Sequence, residues 1–174
     1  MNYLFLDFDS VVNIIPPIWK AEHDKHDIIY TTINPYQIIY DKSVVKWIND
    51  KNNDDNVQLF WLTSWHGNTD KFVELGLEKD IASLGPSYDV SPINHFGAAY
   101  KWKRRFGIEK TKEIHDTDPD ARIVWVDDEK IVNGHINNDN VYTINTIENC
   151  GLASYHLRNI DNFFATGKKM RNNV

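Results

Sequence analysis

Two aspartates one residue apart, Asp7 and Asp9, stand where the apolar run YLFLDFDSVVN turns polar. A threonine and a serine, Thr63 and Ser64, close a second apolar run, FWLTSW, and Asp127, Asp128 and Glu129 close a third, IVWVDDE. Alone, a DxD pair is an ordinary turn or helix-cap feature, and a DD pair says less still. Together, each after a β-rich run, they read as the ends of neighbouring strands. In an open α/β sheet, ligands sit beyond the carboxyl ends of the strands, so such residues converge on one crevice. Crowded carboxylates raise one another's pKa values unless a cation neutralises them. Oxygen-only ligands favour a hard ion, and Mg²⁺ fits best because it accepts a few carboxylates and keeps waters that a phosphate oxygen can displace.

The elements that must position these groups are legible as an alternation. Tyr3 to Asp7, Val57 to Leu62, Arg122 to Val126 and Val141 to Ile144 have the short, apolar, β-branched character of buried parallel strands. Between them, Ser43 to Asp50, Thr69 to Leu77, Ile108 to His115 and Leu152 to Phe164 read as helices. The spacing predicts a doubly wound α/β sheet with helices on both faces. Two stretches interrupt it. Residues 14–41 hold Pro16, Pro17 and the runs IIYTTI and YQIIYD around Asn34 and Pro35, which predicts a β-hairpin flap. Residues 80–100, with Gly85, Pro86, Pro92 and Gly97, read as an irregular loop. One domain is expected over 1–167, followed by a solvated tail at 168–174.

Composition narrows the classes. An apolar fraction of 41%, with 6 Trp, 8 Tyr and 8 Phe, supplies a sizeable core. A net charge of -6 argues against binding nucleic acid through overall charge. No leader pattern and no apolar run of about 18 residues is present, so no membrane association is expected. The single Cys150 makes an internal disulfide impossible and a reducing cytoplasm the expected compartment. Cys150 itself reads as an inert thiol. His23, His26, His95, His115, His135 and His156 show no metal-ligand spacing.

LFLDFDSVVN, FWLTSW and IVWVDDE, in that order, resemble the first, second and fourth motifs of the haloacid dehalogenase (HAD) superfamily of phosphohydrolases. The resemblance runs from residue 3 to about 165, where GLASYHLRNIDNFF is similar to the closing helix of a small capless HAD group of phage and bacterial proteins that includes domains attached to RNA-repair enzymes. It implies a Rossmann-like fold with no large cap domain. It makes Asp7 the nucleophile that becomes transiently phosphorylated and Asp9 the general acid and base, with Asp9 also a metal ligand through its backbone carbonyl. Asp9 lies two residues on, where alternation along an extended chain is expected to turn both carboxyls to the same side. Thr63 would hydrogen-bond the phosphoryl oxygens, with Ser64 as the neighbour one register away. Of Asp127 and Asp128, one would bind Mg²⁺ directly and the other through water or hydrogen bonds; Glu129 reads as a first-turn helix residue. The third motif is one lysine, and spacing points to Lys110, with Lys112, Lys103 and Lys101 as alternatives. Ser10 departs from the family, which favours a glycine after the second aspartate.

The resemblance also implies an open site, able to take a phosphate on a large substrate such as a nucleotide or a nucleic-acid end. Trp65 and His66 follow the second motif, where a ring can stack on a base, line the leaving-group pocket or simply pack. KWKRRFGIEKTK, residues 101–112, gathers basic residues, among them Lys101 and Lys103, around Trp102 and Phe106. It suits a phosphodiester backbone, and equally an amphipathic helix with its aromatics inward. A rival to catalysis is a binding module that keeps the fold and uses this segment to hold a partner. Oligomeric state is left open by the sequence.

Overall fold

The computed structural model describes residues 1–15, 27–65, 67–85, 96–129, 138–146 and 150–170, with the backbone alone for 96–101. In chain order the elements are β1 (Asn2–Leu6), β2 (Ile28–Ile33), β3 (Tyr36–Asp41), α1 (Lys42–Asn52), β4 (Val57–Trp61), a 3₁₀ helix (Thr69–Leu75), β5 (Ala82–Ser83), α2 (Phe96–Thr117), β6 (Arg122–Asp127), β7 (Val141–Asn145) and α3 (Ser154–Thr166). The most apolar run takes the centre: β1 lies between β4 and β6 in a five-stranded parallel sheet of order β5-β4-β1-β6-β7. Its neighbours pair in register, Leu6 with both Trp61 and Val126, so all three strands end at one level.

Alternation along the strands splits the core into two layers. Leu4, Leu6, Leu59, Trp61, Val124 and Val126 face α1, α3 and the 3₁₀ helix. Phe5, Phe60, Ile123 and Trp125 face α2, which contributes Ile114 and the partly buried Trp102 and Phe106. Helices on both faces make this the doubly wound, Rossmann-like α/β arrangement expected, and no cap-sized domain is found among the described residues. No helix among those residues is long and apolar enough to cross a membrane.

The hairpin is present: β2 and β3 pair antiparallel from Ile28 opposite Asp41 to Ile33 opposite Tyr36, turning at Asn34 and Pro35. Ile33, Ile38 and Tyr40 join the larger core, whereas Tyr30 and Tyr36 stay exposed. The expected helix at Thr69 is a 3₁₀ helix, ended by Gly76 at φ 94°. The stretch 80–100, read as a loop, supplies β5 at one end and the first residues of α2 at the other. Pro16, Pro17, Pro86 and Pro92, with His23, His26, His95 and His135 and residues 171–174 of the expected tail, lie outside the described residues.

The largest departure is α2, which begins at Phe96, twelve residues before the expected Ile108. Gly107, just ahead of that expected start, sits inside the helix, against the sheet. A β-carbon there would lie 2.3 Å from the Trp125 ring, so glycine is required for close approach and not for a turn. Gly107→Ala is therefore expected to destabilise the fold by about 1–3 kcal/mol despite alanine's better helix propensity, because overpacking outweighs it. Chemical denaturation would read this loss.

Candidate active site

The in-register ends of β1, β4 and β6 place the residues that follow them side by side. Asp7 follows β1, and its amide donates to the Val126 carbonyl at 3.0 Å, next to Asp127 at the end of β6. On the other flank, the Leu62 amide donates to the Leu6 carbonyl at 2.8 Å, which brings Thr63 to the same edge. Asp7, Asp127 and Thr63 are all buried, at 3%, 2% and 0% exposure, and the two acids, unusual at such burial, need partners.

The partner is a lysine. Lys103, itself buried, donates from Nζ to Asp7 Oδ2 at 2.6 Å and lies 3.3 Å from Asp127 Oδ2. The second Asp7 oxygen accepts the Phe8 amide at 2.7 Å, and Asp127 Oδ1 accepts the Glu129 amide at 3.0 Å. One carboxylate oxygen from each of Asp7, Asp127 and Asp128 falls within 4.8 Å of the others, a group able to hold a metal ion.

Lys110, the lysine favoured by spacing, is not at this cluster. Its Nζ donates to Glu113 at 2.6 Å and lies 5.4 Å from the Phe60 ring centroid. The cause is the length of α2. The helix runs down from the site edge to the start of β6, so a residue seven positions beyond Lys103 lies about 10 Å farther from the strand ends. The face of α2 that meets the sheet carries Lys103, Gly107, Thr111 and Ile114, all buried, and Lys110, two turns beyond Lys103, keeps nearly its bearing but lies over Phe60 and away from the strand ends.

The chain does not continue extended from Asp7 to Asp9, as simple alternation requires. It turns at Phe8, whose carbonyl accepts the amides of Val12 and Asn13 at 2.8 Å each. The Phe8 ring fills the core, stacked on Phe72 with centroids 4.0 Å apart. Asp9 then faces a pocket of its own: Oδ1 accepts Asn13 Nδ2 at 2.8 Å and Oδ2 accepts Trp65 Nε1 at 2.9 Å. Ser10 holds the loop at φ 60°, a left-handed conformation that explains the family's preference for glycine. It is fixed there by its amide to the Asn13 carbonyl at 2.7 Å and by the Thr146 hydroxyl donating to its carbonyl at 2.8 Å.

The remaining expected residues divide. Thr63 Oγ1 accepts the Trp65 amide at 3.3 Å, and Ser64 is exposed beside it. Trp65 packs against Phe8, Phe72 and Tyr36 while reaching Asp9. His66 and the Lys101 side chain lie outside the described residues. Glu129 lies in a bend after β6 and donates its amide to Asp127, and the residues after it, where a helix was expected, lie outside the described residues. In the 101–112 segment, Trp102 and Phe106 pack toward the sheet, Lys103 is buried and the exposed Arg105 lies near Glu109 at 3.8 Å. The amphipathic-helix alternative describes that segment.

Electrostatics test whether a cation fits. Burial, then the charge of Asp7, pushes Asp127 from the ordinary 3.8 up to about 8 against the opposing pull of Lys103. Burial also raises Asp9, Asp128 and Glu129, with the neighbouring acids adding to it. Lys103 moves up as well: burial opposes its charge, but Asp7 and Asp127 outweigh it. One ammonium thus leaves the cluster short of positive charge, and an all-oxygen donor set of this kind fits a hard divalent ion.

The sign of the resulting pH dependence follows. Carboxylates raised in the folded state bind protons more tightly there than in the unfolded chain, so that stabilisation is complete below the ordinary carboxylate range and is lost as pH rises toward about 8. Lys103, raised above its ordinary 10.5, stays charged throughout this window and does not contribute to the change. Metal-free protein is therefore expected to melt roughly 5 °C lower at pH 8 than at pH 5, with millimolar Mg²⁺ restoring most of the difference. Thermal melts with chelator and with Mg²⁺ read it, and Asp127→Asn should flatten it.

No curated protein and no solved structure matches the chain. A family model described as the HAD domain in Swiss Army Knife RNA repair proteins matches residues 3–157. That match takes in the strand-end aspartates, the hydroxyl pair, Lys103 and most of the sheet, so the chain belongs to this HAD family of RNA-repair-associated domains.

Proposed function

We propose that the protein is a divalent-metal-dependent phosphatase that hydrolyses phosphate monoesters through phosphorylated Asp7, with the phosphorylated end of a nucleic acid as substrate. The carrying observation is the buried bridge from Lys103 to Asp7 and Asp127, with Asp128 completing a tight acidic group at the strand ends. A HAD domain points to hydrolase chemistry in general, and the RNA-repair association of the family supports the nucleic-acid substrate.

Asp7, Asp127, Asp128 and the backbone carbonyl of Asp9 would hold Mg²⁺, which when bound neutralises the acidic cluster and the negative charge of a phosphoryl group. An Asp7 oxygen attacks phosphorus as the bond from phosphorus to the leaving oxygen breaks, and that oxygen takes the proton held by Asp9. Asp9, now a carboxylate, takes a proton from water as the water oxygen attacks phosphorus. The bond from phosphorus to Asp7 then breaks and phosphate leaves. Burial keeps Asp9 protonated at higher pH than an exposed aspartate, which suits the first step. Lys103 holds the charge of Asp7 in check while the anion approaches, and Thr63 offers a hydroxyl at the same edge.

Assaying p-nitrophenyl phosphate, nucleoside monophosphates and 3′- or 5′-phosphorylated oligonucleotides with and without Mg²⁺ tests the reading. Metal-dependent phosphate release, fastest from oligonucleotide ends, is expected. Release from none of these, or release unaffected by chelation, contradicts it. A binding-module alternative would have to use the basic residues of the segment other than Lys103, whose charge is spent inside the site.

A further inference from the structure

We infer that strand β3 of the hairpin sets the position of the Asp9 carboxylate through two arms, Trp65 and Asn13, which makes both positioning residues for the proton transfer; this rests on the acid–base reading of Asp9. Each arm touches one oxygen of Asp9, and each is anchored on the same strand. Asn13 donates from Nδ2 to Asp9 Oδ1 at 2.8 Å while its own Oδ1 accepts the Ile39 amide at 3.1 Å. The adjoining Ile14 amide donates to the Ile39 carbonyl at 2.6 Å, which locks the loop to β3. Trp65 donates from Nε1 to Asp9 Oδ2 at 2.9 Å, and its ring meets Tyr36, the first residue of β3, at 5.1 Å between centroids and 67° between planes.

The two donors occupy one lone pair on each carboxylate oxygen and leave the others for the proton that Asp9 must give and take. They also fix the torsion of a short side chain in a loop that carries no regular structure beyond one bridge to Asn13. A phenyl ring at this position would keep an aromatic face toward Phe8 and Phe72 but lack the indole N–H that reaches Asp9. The hairpin therefore does more than stand beside the substrate. Its placement decides where the acid–base group points.

The test uses the full chain with Mg²⁺ and a set of aryl phosphates of similar shape whose leaving groups differ in acidity. A group that positions a general acid matters most when the leaving oxygen is basic. Trp65→Phe is expected to lower kcat about tenfold or more on the most basic leaving group and less than about threefold on p-nitrophenyl phosphate, with KM little changed. Tyr36→Ala, at a residue 49% exposed and so tolerant of truncation, should steepen the dependence in the same direction by less. Equal loss across the series, or a change confined to KM, overturns the inference. Asp9→Asn is the reference: it should steepen the series most, and if it does not, the acid–base reading itself fails, which is a different outcome from a normal Asp9→Asn response with a flat Trp65→Phe response.

Discussion

Asp7→Asn is expected to lower phosphatase turnover by on the order of 10⁴-fold or more, because the amide cannot form the bond to phosphorus on which both displacements depend. The fold should survive the change. Asp7 is one of three acids crowded within 4.8 Å, and its charge is among the causes that push Asp127 upward, so its neutralisation relieves repulsion even as it weakens the contact with Lys103. Turnover with p-nitrophenyl phosphate, beside a thermal melt, separates a lost nucleophile from a lost fold. A variant that melts near the parent temperature and still turns over at a tenth of the parent rate would rule out Asp7 as the nucleophile.

Lys103→Met should do damage of both kinds. The Lys103 side chain is 6% exposed and its ammonium bridges two buried carboxylates, so its removal leaves charge without a counter-ion, a change that typically costs about 3–5 kcal/mol. Loss of electrostatic stabilisation at the reacting group adds a fall in kcat of about 10²- to 10³-fold. Lys110→Met provides the contrast: its ion pair with Glu113 is a helix-surface contact, worth less than about 1 kcal/mol, and turnover should stay close to the parent's. Denaturation and turnover of the two variants together decide which lysine serves the site.

The acidic part of the site was legible because it is written at strand ends. Asp7, Thr63 and Asp127 each follow an apolar run, and a parallel sheet in register has no choice but to bring them together. Lys103 carried no such mark. It comes from inside a helix, where a lysine in a basic stretch looks like any solvated one, and it lies ahead of Ile108, where that helix was expected to begin. Burial at Lys103, Gly107, Thr111 and Ile114 gives a periodicity visible once α2 is allowed to start early.

The link of Asn13 and Trp65 to Asp9 was hidden for a different reason. Their link to Asp9 depends on a turn at Phe8 and on a hairpin strand 26 residues beyond Asn13 in sequence, as the bond from Ile39 to Asn13 records. Pattern reading follows strands and helices, and it assumed an extended DFD where the chain in fact bends. Ser10 offered a hint. A serine where the family favours glycine sits in a loop held from within by the Asn13 carbonyl and from outside by the Thr146 hydroxyl.

The most direct measurement is acid quench of the protein during turnover with Mg²⁺ and a phosphorylated oligonucleotide or p-nitrophenyl phosphate, followed by peptide mass spectrometry. Phosphate on the peptide carrying Asp7, absent in Asp7→Asn and accumulating in Asp9→Asn if acid and base are one residue, is the expected result. Sustained turnover with no phosphate on that peptide at any quench time, or phosphate found on another residue, would contradict a covalent route through Asp7.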